Sequence, residues 1–155
     1  MSVPTRSIVP SVVAAVALMV AFVLLGPSAQ AVTPHDYGVD AVRATNAARA
    51  SHGLNRLRTD RCLERFAARQ AARMAAQRRM FHQDIRVPLR SCGLRTVGEN
   101  VAYGFSSGRG VVRNGWMKSP PHRANILHRE FRLVAVAARK GSDGRWYASQ
   151  VLGRR

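Results

Sequence analysis

An amphipathic segment near the middle of the chain constrains the fold most strongly. Between residues 63 and 75, mostly apolar side chains recur at spacings of three and four residues without a gap. This spacing places them on one face of an α-helix, and that face must be buried against another element. Thr59 and Asp60 precede the segment and are suited to cap its first turn. The buried face comprises Leu63, Phe66, Ala67, Gln70, Ala71, Met74 and Ala75.

Four arginines occupy the opposite side of this predicted helix. Arg61, Arg65, Arg69 and Arg73 are four residues apart, so they form one exposed row. Like charges at this spacing repel by a few tenths of a kcal/mol per pair. The row is either a tolerated solvated face or a binding strip for an anion, and the sequence leaves both open.

Helical and strand patterns follow one another along the rest of the chain. A first helix is predicted over about 37–51, where Asn46 and Arg49 are interpreted as a partly exposed edge of the buried stripe. Two β-prone runs around a loop with two glycines predict a closing hairpin. Helices first, a mixed middle and this hairpin predict the α+β class, with helices packed on a small antiparallel sheet. The remaining predictions are a strand over 96–103, helical stretches over 111–117 and 122–127, and hairpin strands over 131–139 and 145–152.

The N-terminus has the parts of a secretory signal. Arg6 is the only charged residue among the first 35, an apolar run covers 12–25, and a small-x-small cleavage site ends at Ala31. The apolar run is shorter than the about 20 residues that a membrane span needs. An uncleaved N-terminal anchor is the alternative. We expect a signal peptide over 1–31 and one secreted, extracellular domain over 32–155.

Two cysteines, Cys62 and Cys92, lie in the predicted mature domain. A small, even number of cysteines in an exported chain predicts one disulfide. Two free buried thiols are the alternative. Neither cysteine belongs to a C-x-x-C pair, so a zinc site built on them is not expected.

The chain is strongly basic, with 25 lysine and arginine residues, 8 acidic residues and a formal net charge of +17. Such a charge favours polyanionic partners, which include wall polymers, anionic lipid head groups and nucleic acid. Because nearly all the basic residues are arginine, a GC-rich genome explains the composition equally well. No nucleic-acid-binding motif is present and aromatic residues are sparse, so specific binding of nucleic acid is not expected.

Three residues that are far apart in sequence are candidates for chemistry: His82, Glu99 and His122. Glu99 lies in an otherwise apolar stretch, where an acid either meets a positive partner or is costly to bury. His122 follows two prolines that fix its backbone. Two imidazoles and a carboxylate suit either a divalent-metal site with an open position for water or an acid–base pair. The spacing does not decide between them.

Two motifs, in this order, resemble the bacterial branch of the CAP superfamily. This superfamily comprises the cysteine-rich secretory proteins, antigen 5 and the pathogenesis-related 1 proteins, and its domain is also called the SCP domain. The first motif is GEN-x-A-x-G over 98–104, and the second is W-M-x-S-P-x-H-R-x-N-I-L over 116–127. The Phe81-His82 step also looks like the family. The resemblance covers about residues 37–152.

The resemblance implies a three-layer α–β–α sandwich with a small central antiparallel sheet, and a surface cleft where two histidines and two acids converge. By position, the histidines are His82 and His122, and the first acid is Glu99. The second acid of the eukaryotic pattern falls on Ser119, whose hydroxyl is neither a general base near neutral pH nor a strong metal ligand. The resemblance also implies that the histidine pair can hold zinc or another divalent ion.

Together these features favour a non-catalytic extracellular binding domain, expected to be a monomer. Its ligand would be a lipid, a cell-wall polymer or a protein. The arginine row would attract an anionic cell-wall polymer or an anionic membrane surface. The alternative is a divalent-metal-dependent hydrolase or peptidase, in which His82 and His122 hold the metal and Glu99 assists.

Overall fold

Helices and strands are interspersed along residues 31–155, the part of the chain that the computed structural model describes. Apart from Ala31, the predicted signal peptide and the alternative N-terminal anchor lie outside these residues. None of the described helices is long and apolar enough to cross a bilayer. The helices are α1 (Pro34–Ala50), α2 (Arg61–Gln77), α3 (Arg86–Ser91), α4 (Gly108–Gly110) and α5 (Pro120–Ile126). The strands are β1 (Arg58–Thr59), β2 (Thr96–Tyr103), β3 (Leu133–Lys140) and β4 (Trp146–Arg154).

The predicted capping and patterning of α2 are confirmed. The carboxylate of Asp60 accepts hydrogen bonds from the backbone N–H groups of Cys62 and Leu63, at 3.0 and 3.1 Å, and so caps the first turn. All seven residues of the predicted apolar face are buried, and the four arginines of the opposite row are exposed. Arg78 ends the helix in the left-handed conformation, with φ of 49°.

The four strands form one sheet in the order β1-β3-β4-β2. The β2–β4 and β3–β4 pairs are antiparallel, and the latter is the predicted closing hairpin. β1 adds a short parallel pairing with β3, which was not predicted because a two-residue strand has no periodicity to detect. β2 is an edge strand, and the candidate site lies along this edge.

Helices cover both faces of the sheet, which confirms the three-layer α–β–α architecture. On one face, Leu63 of α2 belongs to the same buried cluster as Val151 of β4. On the other face, Ala41 of α1 belongs to the same cluster as Leu152. Because successive strand residues point to opposite faces, the two strands of the hairpin supply both cores.

The predicted disulfide between Cys62 and Cys92 is confirmed, and the alternative of two free thiols is excluded. The bond joins the first turn of α2 to the residue after α3. The sequence separation is 30 residues, and a loop of this size stabilises a fold by about 3–4 kcal/mol in the chain-entropy model. His82 lies inside the loop, so the bond restricts the segment that carries this candidate residue.

The prediction that Arg49 lies on a partly exposed edge is wrong. Arg49 is fully buried in the described part of the chain. Its guanidinium donates hydrogen bonds to the carbonyl oxygens of Asn55, Ile126 and His128, at 2.8, 2.8 and 2.9 Å. One guanidinium has five N–H donors, so it satisfies carbonyls from two loops at once and joins α1 to the segment after α5. Asn46 is half-buried, as expected.

Two further segments differ from the predictions. The segment between α2 and β2, for which no helix or strand was predicted, contains the short helix α3. The predicted helix over 111–117 begins earlier, in α4, and continues as a π-helical turn (Val111–Gly115) and a 3₁₀ turn (Trp116–Lys118). Gly108 is needed at this start because a Cβ there would lie 2.1 Å from the carbonyl oxygen of Tyr37, where α4 crosses α1.

Candidate functional site

Glu99 lies on the edge strand β2 and turns its side chain toward the α2 layer, on the same face as its register partner Val151. Its side chain is 1% exposed. One oxygen, Oε2, accepts hydrogen bonds from Nδ1 of His82 at 2.8 Å and from the backbone N–H of Gln83 at 3.2 Å. The other, Oε1, accepts from the amide of Gln83 at 2.6 Å and from the hydroxyl of Ser149 at 3.1 Å. These four donors offset the cost of burying the carboxylate.

The contact with Glu99 fixes the state of the His82 ring. Because Nδ1 faces a carboxylate that can only accept, we assign the neutral imidazole the tautomer with its proton on Nδ1 and its lone pair on Nε2. The His82 side chain is 57% exposed. The His82 imidazole therefore contacts the buried Glu99 carboxylate on one side and is open to solvent and ligands on the other.

His122 reaches the same edge of the sheet from α5. Its backbone carbonyl accepts a hydrogen bond from the side-chain amide of Asn100 at 3.1 Å, and Asn100 is the neighbour of Glu99 in β2. Burial lowers the pKa of the His122 imidazole below its ordinary value of 6.5, and positive charge on His82 lowers this pKa further. Protonation of His122 therefore responds both to its own burial and to the charge of His82.

A chain of buried amides fixes α5 against the sheet. The side-chain amide of Asn100 donates to Oε1 of Gln150 at 2.8 Å, and the amide of Gln150 donates to the hydroxyl of Thr45 at 2.8 Å. Asn125 donates to the carbonyl of Glu99 at 3.1 Å and to Oδ1 of Asn100 at 2.9 Å. These bonds connect α1, β4, β2 and α5, so the site is built on a rigid frame.

Ser119 directly precedes α5 and lies one helical turn before His122. It is half-buried, and its hydroxyl does not cap the helix. Its backbone carbonyl accepts a hydrogen bond from the N–H of Arg123 at 2.8 Å. At the position of the second acid, the chain thus has a neutral hydroxyl, which adds no carboxylate to the site.

The donor set suits a divalent ion only in part. Within residues 31–155, no group of three or more His, Cys, Asp or Glu side chains is arranged to hold a metal. Glu99 orients His82, which is the role that carboxylates commonly have behind metal-bound histidines. The donors that remain are the two imidazoles, so His82 and His122 would hold the ion and water would complete its coordination.

The structure joins His82 to Glu99 directly and holds the backbone of His122 against Asn100, the next residue of β2. Two partners of the carboxylate, Gln83 and Ser149, were not predicted. Gln83 follows His82 in the sequence, and its amide side chain was the available signal. Ser149 reaches Glu99 through the register of β2 and β4, which the sequence pattern does not specify.

Comparison with known proteins identifies a family. Residues 42–152 match the model of the cysteine-rich secretory protein family, CAP. The uncharacterized protein YkwD of Bacillus subtilis is 33% identical over 107 residues, which cover 64% of this chain and 41% of YkwD. The chain therefore spans less than half the length of this curated relative.

Solved structures of low sequence identity share the fold. An extracellular protein from Bacillus anthracis that contains an SCP domain is 22% identical, with a TM-score of 0.68 over 79% of this chain and 41% of that one. An outer surface protein from Borrelia burgdorferi is 21% identical, with a TM-score of 0.66 over 74% of this chain and 89% of that one. Since the family model matches more than half of the sequence, the chain belongs to the CAP, or cysteine-rich secretory protein, family.

Proposed function

We propose that this chain is an extracellular binding domain whose ligand site is the cleft formed by His82, Glu99 and His122. The observation that supports this most is the hydrogen bonding of the Glu99 carboxylate. Each of its two oxygens accepts two hydrogen bonds from the protein. A carboxylate held in this way orients His82 and is not free to take a proton from a substrate. Two imidazoles without a free acid suit binding better than catalysis.

Export is part of the same proposal. The N-terminal pattern is typical of a signal peptide, and the Cys62–Cys92 disulfide is typical of oxidising compartments. The similar solved structures include an extracellular protein and an outer surface protein. We infer that the mature domain begins near residue 32 and acts outside the cytoplasm.

The charge around the cleft favours an anionic ligand, with a cell-wall polymer, a lipid or a protein as the classes to compare. The carboxylate at the cleft is already hydrogen-bonded, and Arg73 of α2 lies over the ring of Phe81, the residue before His82. If zinc or another divalent ion binds, His82 and His122 would hold it and it would supply a positive charge for a ligand oxygen.

The two imidazoles are also compatible with one alternative function, that of a divalent-metal-dependent hydrolase or peptidase. The neutral Ser119 and the engaged Glu99 weigh against it, because neither provides a base for a metal-bound water. Calorimetric titration with zinc compares wild type with His82→Ala/His122→Ala. Heat that is lost in the double variant would support a metal at this pair, and equal heats in both proteins would rule out the metal-dependent version.

A sedimentation assay tests the binding function. Purified residues 32–155 are mixed with isolated cell wall or with anionic liposomes over a series of salt concentrations. We expect binding that weakens as salt rises and that falls at least about tenfold in His82→Ala/His122→Ala. The matched control is His35→Ala/His128→Ala, which removes two exposed histidines elsewhere. The absence of binding to both materials at low salt would contradict the proposal.

A further inference from the structure

Three arginines of α2 and of the segment that follows it are held against aromatic rings. The guanidinium carbons of Arg73 and Arg79 lie 5.3 and 5.1 Å from the ring centre of Phe81, and that of Arg69 lies 5.4 Å from the ring centre of Phe66. None of the three forms an ion pair with a carboxylate in the described part of the chain. A guanidinium stacked on a ring keeps its N–H edge available, so these groups present oriented donors to solvent.

Phe81 connects two of these charges, Arg73 and Arg79, to the segment that carries His82. Phe81 packs against the buried cluster that contains Val101, and the next residue, His82, is bonded to Glu99. Glu99 and Val101 are alternate residues of β2, so their side chains lie on one face of the strand, roughly 7 Å apart. The arginines on the Phe81 ring are therefore held by the residue that directly precedes His82.

The α2 row extends this charge away from the cleft. Successive arginines of the row, from Arg61 to Arg73, are about 6 Å apart along the helix axis. Each step of four residues also turns about 40° around the axis, so the directions of the first and last arginine differ by about 120°. The one carboxylate of α2, Glu64, lines a groove formed by residues of α1, α2 and β3. A flat bilayer meets only part of a winding row, whereas a flexible chain can follow all of it.

We propose that the α2 row and the ring-held arginines form a track for a linear polymer of phosphate groups, which leads along α2 into the His82–His122 cleft. This inference rests on the proposed binding function and names the ligand class of the same site as a phosphate-bearing wall polymer. Repeated guanidinium groups match repeated oxyanions, and each guanidinium can bind a phosphate through two N–H groups.

The probe is poly(glycerol phosphate), and its affinity is measured over a series of salt concentrations. The track variant is R69Q/R73Q/R79Q, and the control variant is R113Q/R129Q/R139Q. Every substituted arginine is exposed, and equal melting temperatures will show that the variants are folded. We expect the track variant to bind at least about tenfold more weakly. The slope of log affinity against log salt should become less steep by about 2. Three arginines are replaced, and one phosphate contact contributes about 0.7 to the steepness for a single-stranded nucleic acid. The control should keep nearly the wild-type slope.

Several outcomes would overturn the track. Equal losses in the track and control variants would mean that net charge alone attracts the polymer. Tighter binding to phosphatidylglycerol vesicles, or to a single-stranded oligonucleotide of equal charge, would contradict the assigned ligand class. The variant His82→Ala/His122→Ala separates the two proposals in the same assay. If this histidine variant loses binding while the track variant keeps it, the track is rejected and the cleft is retained. If the wild-type protein does not bind the polymer at all, the track is rejected, and the sedimentation assay alone judges the cleft.

Discussion

The Nδ1 atom of His82 lies 2.8 Å from Oε2 of Glu99 and joins an exposed imidazole to a buried carboxylate. Gln83 and Ser149 hold the same carboxylate, so it cannot turn away from the imidazole. The direction of the His82 ring is therefore set from the interior of the domain. The opposite ring nitrogen, Nε2, is the atom that remains for a ligand.

Replacing Glu99 with glutamine should destabilise the domain. The amide keeps the shape of the carboxylate but offers one acceptor oxygen in a buried site with four donors. We expect the free energy of unfolding to fall by about 3 kcal/mol, measured by urea denaturation. Glu130→Gln is the matched control, because Glu130 is 54% exposed and lies 3.8 Å from Arg154, and it should change stability by less than about 0.5 kcal/mol. Equal effects of the two substitutions would contradict the structural role of Glu99.

Removing His82 should raise the pKa of His122. Burial is the larger cause of the lowered pKa, and the positive charge of His82 is the second. In His82→Ala the pKa of His122 should therefore rise but stay below 6.5. An NMR titration of the ring resonances measures this directly. An unchanged pKa would mean that the two imidazoles do not share a site.

The lowered pKa of His122 also makes stability depend on pH. The unfolded chain protonates this residue near pH 6.5, and the folded domain only at a lower pH, so between these values the unfolded state binds more protons. The stabilising contribution is complete above pH 6.5 and is lost as the pH falls through the folded pKa. His122→Gln should remove this part of the acid-side loss in denaturation curves recorded from pH 7.5 to 4.5. A variant with the same pH dependence as wild type would contradict the assignment.

Replacing Arg49 with alanine should be among the most damaging changes in α1. It leaves the carbonyls of Asn55, Ile126 and His128 without their donor, and that of Ile126 lies in a buried place. We expect a loss of at least about 3 kcal/mol in the free energy of unfolding, and only partial recovery with lysine, whose single ammonium cannot span carbonyls from two loops. Arg43→Ala, on the exposed side of the same helix, should be nearly neutral. Full recovery with lysine would show that charge alone is needed.

Local patterns made much of the fold predictable. α2 has a cap at Asp60 and an unbroken apolar face, and both are properties of adjacent residues. The strand over 96–103 was predicted with the observed bounds, since its flanking glycine and apolar composition are local as well. Two family motifs and the Phe81-His82 step then pointed to His82, Glu99 and His122.

What the sequence could not reveal depends on distant partners. Arg49 is buried because carbonyls as far as 79 residues away need donors. The sequence of α1 alone does not indicate where those carbonyls lie. Ser149 meets Glu99 across 50 residues through strand register. A one-residue shift of that register would turn the serine to the other face of the sheet. The partners of a site are therefore harder to predict than its motif residues.

The most direct test of the binding cleft follows all five imidazoles of the chain during a titration with soluble cell-wall polymer. Ring resonances in an NMR spectrum report each histidine separately. A binding cleft at His82 and His122 predicts that the resonances of these two residues shift together at the lowest polymer concentrations, while those of His35, His52 and His128 stay in place. Equal shifts at all five histidines, or shifts confined to the other three, would contradict it.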